Sequence, residues 1–139
     1  MKLPKGVTAN SGFKGRALRL HKGLYGLKQA GRQWNKNIDA HIRSIGYKRS
    51  SYDHCLYMKL SGENISLILL IVDDMITATN SPEEEHLLQL ALNGKYQMTD
   101  MELSQFVGLE IVRNREERWI EINQYKYVME VLNRFRMTE

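Results

Sequence analysis

The chain has 139 residues, is 42% hydrophobic and carries a formal net charge of +4, which fits one domain with a sizeable core. No run reaches the roughly 18–20 apolar residues of a membrane span, and no apolar signal core opens the chain, so the expected location is intracellular, cytoplasmic or nuclear. Cys55 is the single cysteine; it excludes an internal disulfide and a Cys/His zinc site, and its β-prone surroundings suggest a reduced, packed thiol.

Charge is unevenly placed. Residues 1–59 hold 13 Lys and Arg against two Asp, while residues 60–139 hold 7 Lys and Arg against 14 Asp and Glu. A basic half beside an acidic half suggests a polyanion gripped on one side, with the other holding metal or facing solvent. The plainer alternative is a basic surface that merely solvates the fold.

Residues 1–23 have little periodicity and contain Pro4, Gly6, Gly12 and Gly15, so an extended arm is expected. From Ala30, apolar residues recur at Trp34, Ile38, Ile42 and Ile45, which makes one helical stripe ending at Gly46. Gly23 and Gly26 before it permit a backbone that approaches a ligand closely. Lys28, Gln29 and Arg32 gather where that loop enters the helix, and donors at a helix start suit phosphate or a nucleobase edge. An amphipathic core helix with a basic face explains the same residues.

A strand is expected over Tyr52 to Lys59, turning at Ser61-Gly62-Glu63-Asn64 into Ile65 to Val72. Seven of those last eight residues are apolar, so this is a buried strand rather than an amphipathic helix. Asp73 and Asp74 follow, and a second β-prone run returns through Thr79. Two adjacent anions buried beside an apolar core need something positive to meet them. A hard divalent cation, Mg²⁺ or Mn²⁺, has the matching charge and oxygen preference. Asp in a turn also caps nearby backbone N–H groups, and these residues alone leave both readings open.

Ser81-Pro82-Glu83-Glu84 opens a helix by its Ser cap, its Pro at the first position and a Glu three residues after the cap. Leu87, Leu88, Ala91 and Leu92 would be buried, with Gly94 as the stop. Gln105 to Val112 and Arg118 to Ile122 form a hairpin across Asn114 to Glu117. A last helix over about Tyr125 to Phe135 would carry Val128, Val131, Leu132 and Phe135 on one side. The fold class expected from this order is α+β, an antiparallel sheet backed by helices.

Three ordered motifs resemble the reverse transcriptase domain of copia-type LTR retrotransposons. The first is Leu24-Tyr25-Gly26-Leu27-Lys28-Gln29-Ala30-Gly31-Arg32-Gln33-Trp34, with Gly31 where that family usually has Pro. The second is Ile71-Val72-Asp73-Asp74, with Ile71 in a Tyr position. The third is Phe106-Val107-Gly108-Leu109-Glu110-Ile111. The opening Met1-Lys2-Leu3-Pro4-Lys5-Gly6 is similar to the segment that precedes this core, so the likeness spans nearly the whole chain.

The resemblance implies an incomplete polymerase palm over residues 24–122, preceded by the arm of residues 1–23 and followed by the start of a thumb helix over residues 123–139. It implies RNA-directed DNA polymerisation by two-metal phosphoryl transfer, with Asp73 and Asp74 as catalytic metal ligands. Lys28, Gln29 and Arg32 would lie along template and incoming nucleotide, and a hairpin carrying Phe106, Gly108 and Leu109 would position the primer. Template–primer RNA or DNA and a deoxynucleoside triphosphate are the implied partners. The family's further aspartate, in a segment like Asp-Val-x-x-Ala-Phe-Leu, has no counterpart here. Mg²⁺ or Mn²⁺ is therefore expected to bind only weakly, and the chain alone is expected to be inactive. A non-catalytic nucleic-acid-binding palm module, or a relic of a retroelement, is the alternative.

Overall fold

A four-stranded antiparallel sheet holds the middle of the chain in a computed structural model that describes residues 19–138. Most of the arm expected over residues 1–23 lies outside the described residues. In chain order the elements are α1 (Ala30–Ser44), β1 (Lys48–Arg49), β2 (Leu56–Ser61), β3 (Asn64–Ile71), β4 (Asp74–Thr79), α2 (Pro82–Asn93), β5 (Gln105–Phe106), β6 (Leu109–Asn114), β7 (Trp119–Asn123) and α3 (Tyr125–Arg134). The sheets run β1-β2-β3-β4 and β5-β6-β7. This is the expected α+β class, with antiparallel sheets and three helices. No helix among the described residues is long and apolar enough to cross a membrane.

The chain divides into two units after Ile42. In the first, α1 follows its predicted stripe: Ile38 and Ile42 are buried, with Ala30 and Trp34 half-buried. In the second, β3 is the central strand. Its alternate residues Ser66, Ile68 and Leu70 are buried on one face, with Ser66 opposite Lys59 and Ile68 opposite Tyr57 in the β2 register. Helix α2 packs against β3 and β4 through its buried Leu88 and Leu92. Fully burying Ile68 or a Leu of this layer contributes about 1.5–3 kcal/mol. Leu87, expected in the same layer, is 56% exposed, because helical geometry turns it away from the row made by Leu88 and Leu92.

One polar network crosses this layer. The Tyr47 hydroxyl and Ser66 Oγ share a buried hydrogen bond of 2.6 Å. Lys59 Nζ donates to Glu84 Oε2 at 2.7 Å and lies 5.9 Å from the centre of the Tyr47 ring. Glu84 therefore does not close a capping box. Ser81 Oγ still accepts from the Glu84 N–H at 3.3 Å and donates to Glu83 at 2.9 Å, while the Ser81 N–H turns to Thr79 Oγ1.

Three expectations are corrected. Strand β2 begins at Leu56, not Tyr52, because Ser50 Oγ accepts from the N–H groups of Tyr52 and Asp53, and Asp53 Oδ1 from that of Cys55. That turn leaves Cys55 exposed rather than packed. The run Gln105 to Val112 is two strands, broken by a two-residue turn at Val107-Gly108. Helix α3 forms over Tyr125–Arg134, with Val131 and Leu132 half-buried and Val128 exposed.

Candidate nucleic-acid and metal site

Ile71 and Asp74 are register partners, so only Val72 and Asp73 form the turn between β3 and β4. Val72 has φ 56° and Asp73 is not in the positive-φ region. Positive φ at the first central position alone is the type II′ arrangement, which normally takes Gly there. A β-branched residue held in it is strained by roughly 1–3 kcal/mol.

Asp73 and Asp74 are both exposed. This corrects the expectation of anions buried against the apolar core. The apolar residues on either side belong to strand interiors, and the tight turn carries the carboxylates out at the end of the hairpin. Asp74, as partner of Ile71, shares the sheet face of Leu69 and Leu67, opposite the face that α2 covers. Neither carboxylate is paired with a cation among the described residues.

The donor set suits a hard cation: two adjacent carboxylates, open to solvent, supply oxygen ligands while leaving most positions to water or phosphate oxygens. Mg²⁺ is commonly held in that way. No group of three His, Cys, Asp or Glu able to hold a metal ion occurs among the described residues.

Lys28, Gln29 and Arg32 come together in the first unit, all three exposed. A turn closed by Leu27 N–H to Leu24 C=O brings Gly26 to φ 87°, a value that suits Gly. A second turn, closed by Ala30 N–H to Leu27 C=O, holds Lys28 and Gln29, and the Gln29 C=O accepts from the Gln33 N–H. Helix α1 has no acidic residue in its first turn, and Arg32 adds positive charge where the helix dipole is already positive. Gln29 also lines a cavity of about 210 Å³ with His21, Lys22 and Gln33.

Phe106 and Leu109 are partners across the β5–β6 turn. Phe106 is buried, Leu109 half-buried and Gly108 exposed. Val107 and Gly108 have φ 49° and 79°, a primed turn that matches the twist of the flanking strands. Both candidate hairpins thus hold a valine in a backbone region that valine avoids. Sequence reasoning missed both, because valine signals strand. It also missed Tyr47–Ser66, although a lone Ser inside an apolar strand was the available sign of a buried partner.

The profile of the reverse transcriptase (RNA-dependent DNA polymerase) family matches residues 1–139. The chain belongs to the reverse transcriptase family. It is 37% identical, over 99% of its length, to a retrovirus-related Pol polyprotein from transposon TNT 1-94 of Nicotiana tabacum, covering 10% of that protein. Over 86% of its length it is 32% identical to a Pol polyprotein from transposon RE1 of Arabidopsis thaliana and 31% identical to one from transposon RE2 of the same plant, covering 8% of each. No solved structure matches the chain. This reverse transcriptase segment is therefore of the retrotransposon Pol kind and spans about a tenth of the polyproteins it matches. The family takes nucleic-acid substrates and divalent metal ions.

Proposed function

We propose that this segment is part of the catalytic palm of a retrotransposon reverse transcriptase, residues 24–122, followed by the first residues of a thumb helix from residue 123. The observation that carries the reading is the exposed Asp73–Asp74 couple on the strained β3–β4 turn, without a cationic partner among the described residues, within a chain of this family. Asp73 and Asp74 offer their carboxylate oxygens at the primer end. Lys28, Gln29 and Arg32 hold template and incoming nucleotide by phosphate and base-edge contacts. Phe106, Gly108 and Leu109 set the primer terminus. Bound at the two aspartates, Mg²⁺ would help deprotonate the primer 3′-hydroxyl and neutralise charge on the departing pyrophosphate.

The chain alone does not polymerise, because two carboxylates from one turn give too few ligands to fix a pair of cations. The test is a titration of a recessed primer–template into the purified chain, with and without Mg²⁺, beside primer extension on an RNA template. Binding strengthened by Mg²⁺ in the parent, but not in a D73N/D74N variant, is the expected result. Equal binding in both would overturn the metal role, and extension by the parent would overturn the inactivity.

A further inference from the structure

Helix α3 lacks the devices that normally start a helix. Its N-cap Gln124 makes no side-chain cap hydrogen bond, and its first turn contains no acidic residue. Unsatisfied N–H groups and the positive end of the dipole are left for other elements to meet. Two side chains from the neighbouring sheet do so. Asn123 Oδ1 accepts from the Tyr125 N–H at 3.1 Å, and Glu110 Oε2 accepts from the Lys126 N–H at 3.3 Å. Glu110 Oε1 also pairs with Lys126 Nζ at 3.0 Å.

Glu110 is placed to link two elements. It lies on the middle strand β6, with Gln105 of β5 as its partner on one side and Asn123 of β7 on the other. It follows Gly108 of the β5–β6 turn by two residues. Its side chain is only 20% exposed, and its carboxyl is held below the ordinary value, first by the side-chain hydrogen bond with Lys126. A strand residue capping a helix that begins 15 positions later is not a local turn habit. It joins the base of the Phe106–Leu109 hairpin to the start of α3.

We propose that Glu110 is a positioning residue, whose carboxylate locks the Phe106–Leu109 hairpin and helix α3 into one piece so that both meet the primer end in a fixed relation. This rests on the polymerase reading of the hairpin. The inference deepens that reading by naming what holds the hairpin against the helix. Charge and an acceptor oxygen are the two properties the position uses, and Gln keeps only the second.

The test uses the 139-residue chain and four forms: parent, E110Q, E110A and K126M. Two quantities are read: amide hydrogen exchange over residues 125–128, and the ratio of affinities for a recessed 3′-end duplex and a blunt duplex of equal length. E110A is expected to speed exchange at Lys126 and to cut the recessed-end preference roughly fivefold, E110Q to fall between, and K126M to match the parent because its backbone N–H still meets the carboxylate. A general loss of stability would weaken both duplexes alike and leave their ratio unmoved. If E110A speeds exchange but keeps the parent's preference, Glu110 is a helix cap and nothing more. If exchange is unchanged, the cap itself is refuted. A parent that binds neither duplex would overturn the polymerase reading, and with it the positioning role, whatever the exchange data say.

Discussion

Lys59 on β2 and Glu84 on α2 meet at 2.7 Å above the Tyr47 ring, and this pair fastens the helix to the sheet. Their side chains are 26% and 14% exposed, so solvent screens the pair only in part. Removing one partner strands the other, and E84Q should destabilise the chain by about 1 kcal/mol. The double variant K59M/E84L should recover most of that loss. Urea midpoints of the three forms, compared at equal slope, check both statements.

Relief of backbone strain gives the opposite sign at the β3–β4 turn. Val72 at φ 56° sits where Gly is at ease. V72G should raise stability by about 1 kcal/mol, the strain removed less the added freedom of the unfolded chain. Thermal melting would show a rise of a few degrees, and a fall would mean that the valine side chain has contacts worth more than the strain.

Helix α1 offers a second gain. A Cβ built at Gly31 meets nothing within 4 Å, and the position is helical. G31A should therefore stabilise α1 by about 0.5–1 kcal/mol. Slower amide exchange through the first turns of the helix is the readout.

The pH response near the start of α2 follows from Glu83. Its carboxyl is lowered from the ordinary 4.5, first by the hydrogen bond from its own backbone N–H and then by Ser81. A lowered folded-state value means stability that is present above 4.5 and lost as pH falls through the folded value. Between pH 5 and pH 3 the parent should lose more thermal stability than E83Q. Identical slopes would remove Glu83 from the acid response.

Metal binding should be weak and confined to the β3–β4 turn. Mn²⁺ added at millimolar levels should broaden the NMR signals of Asp73, Asp74 and their turn neighbours first. D73N and D74N should each reduce that broadening. Broadening centred instead on Glu83 to Glu85 would place the cation at the start of α2.

The elements with strong local signals were legible in the sequence. The spacing from Ala30 to Ile45 and the Ser81-Pro82 start gave α1 and α2 nearly to the residue, and the apolar run before Asp73 gave β3. What escaped notice depended on partners distant along the chain. Glu84 matched a capping box, yet Lys59, brought over by the β2–β3 register, claims its carboxylate. Glu110 read as one more strand residue, and only the return of β7 brings α3 to it. The aspartates were identified as a pair, but their exposure follows from a two-residue turn that valine disguises. Resemblance supplied what periodicity could not, since a single strand and a tight hairpin look alike over Gln105 to Val112.

Among the described residues, strand β4 closes one border of the larger sheet, with β3 as its single neighbour. Half the amide and carbonyl groups along Met75 to Thr79 accordingly face outward, with no ladder to join among the described residues. In concentrated solution such a border invites a second chain to lay its own strand alongside, and the negative charge of Asp73 and Asp74 at one end opposes a copy that brings the same end beside it. Handling this chain in high salt should therefore encourage self-association, whereas dilute buffer keeps copies apart.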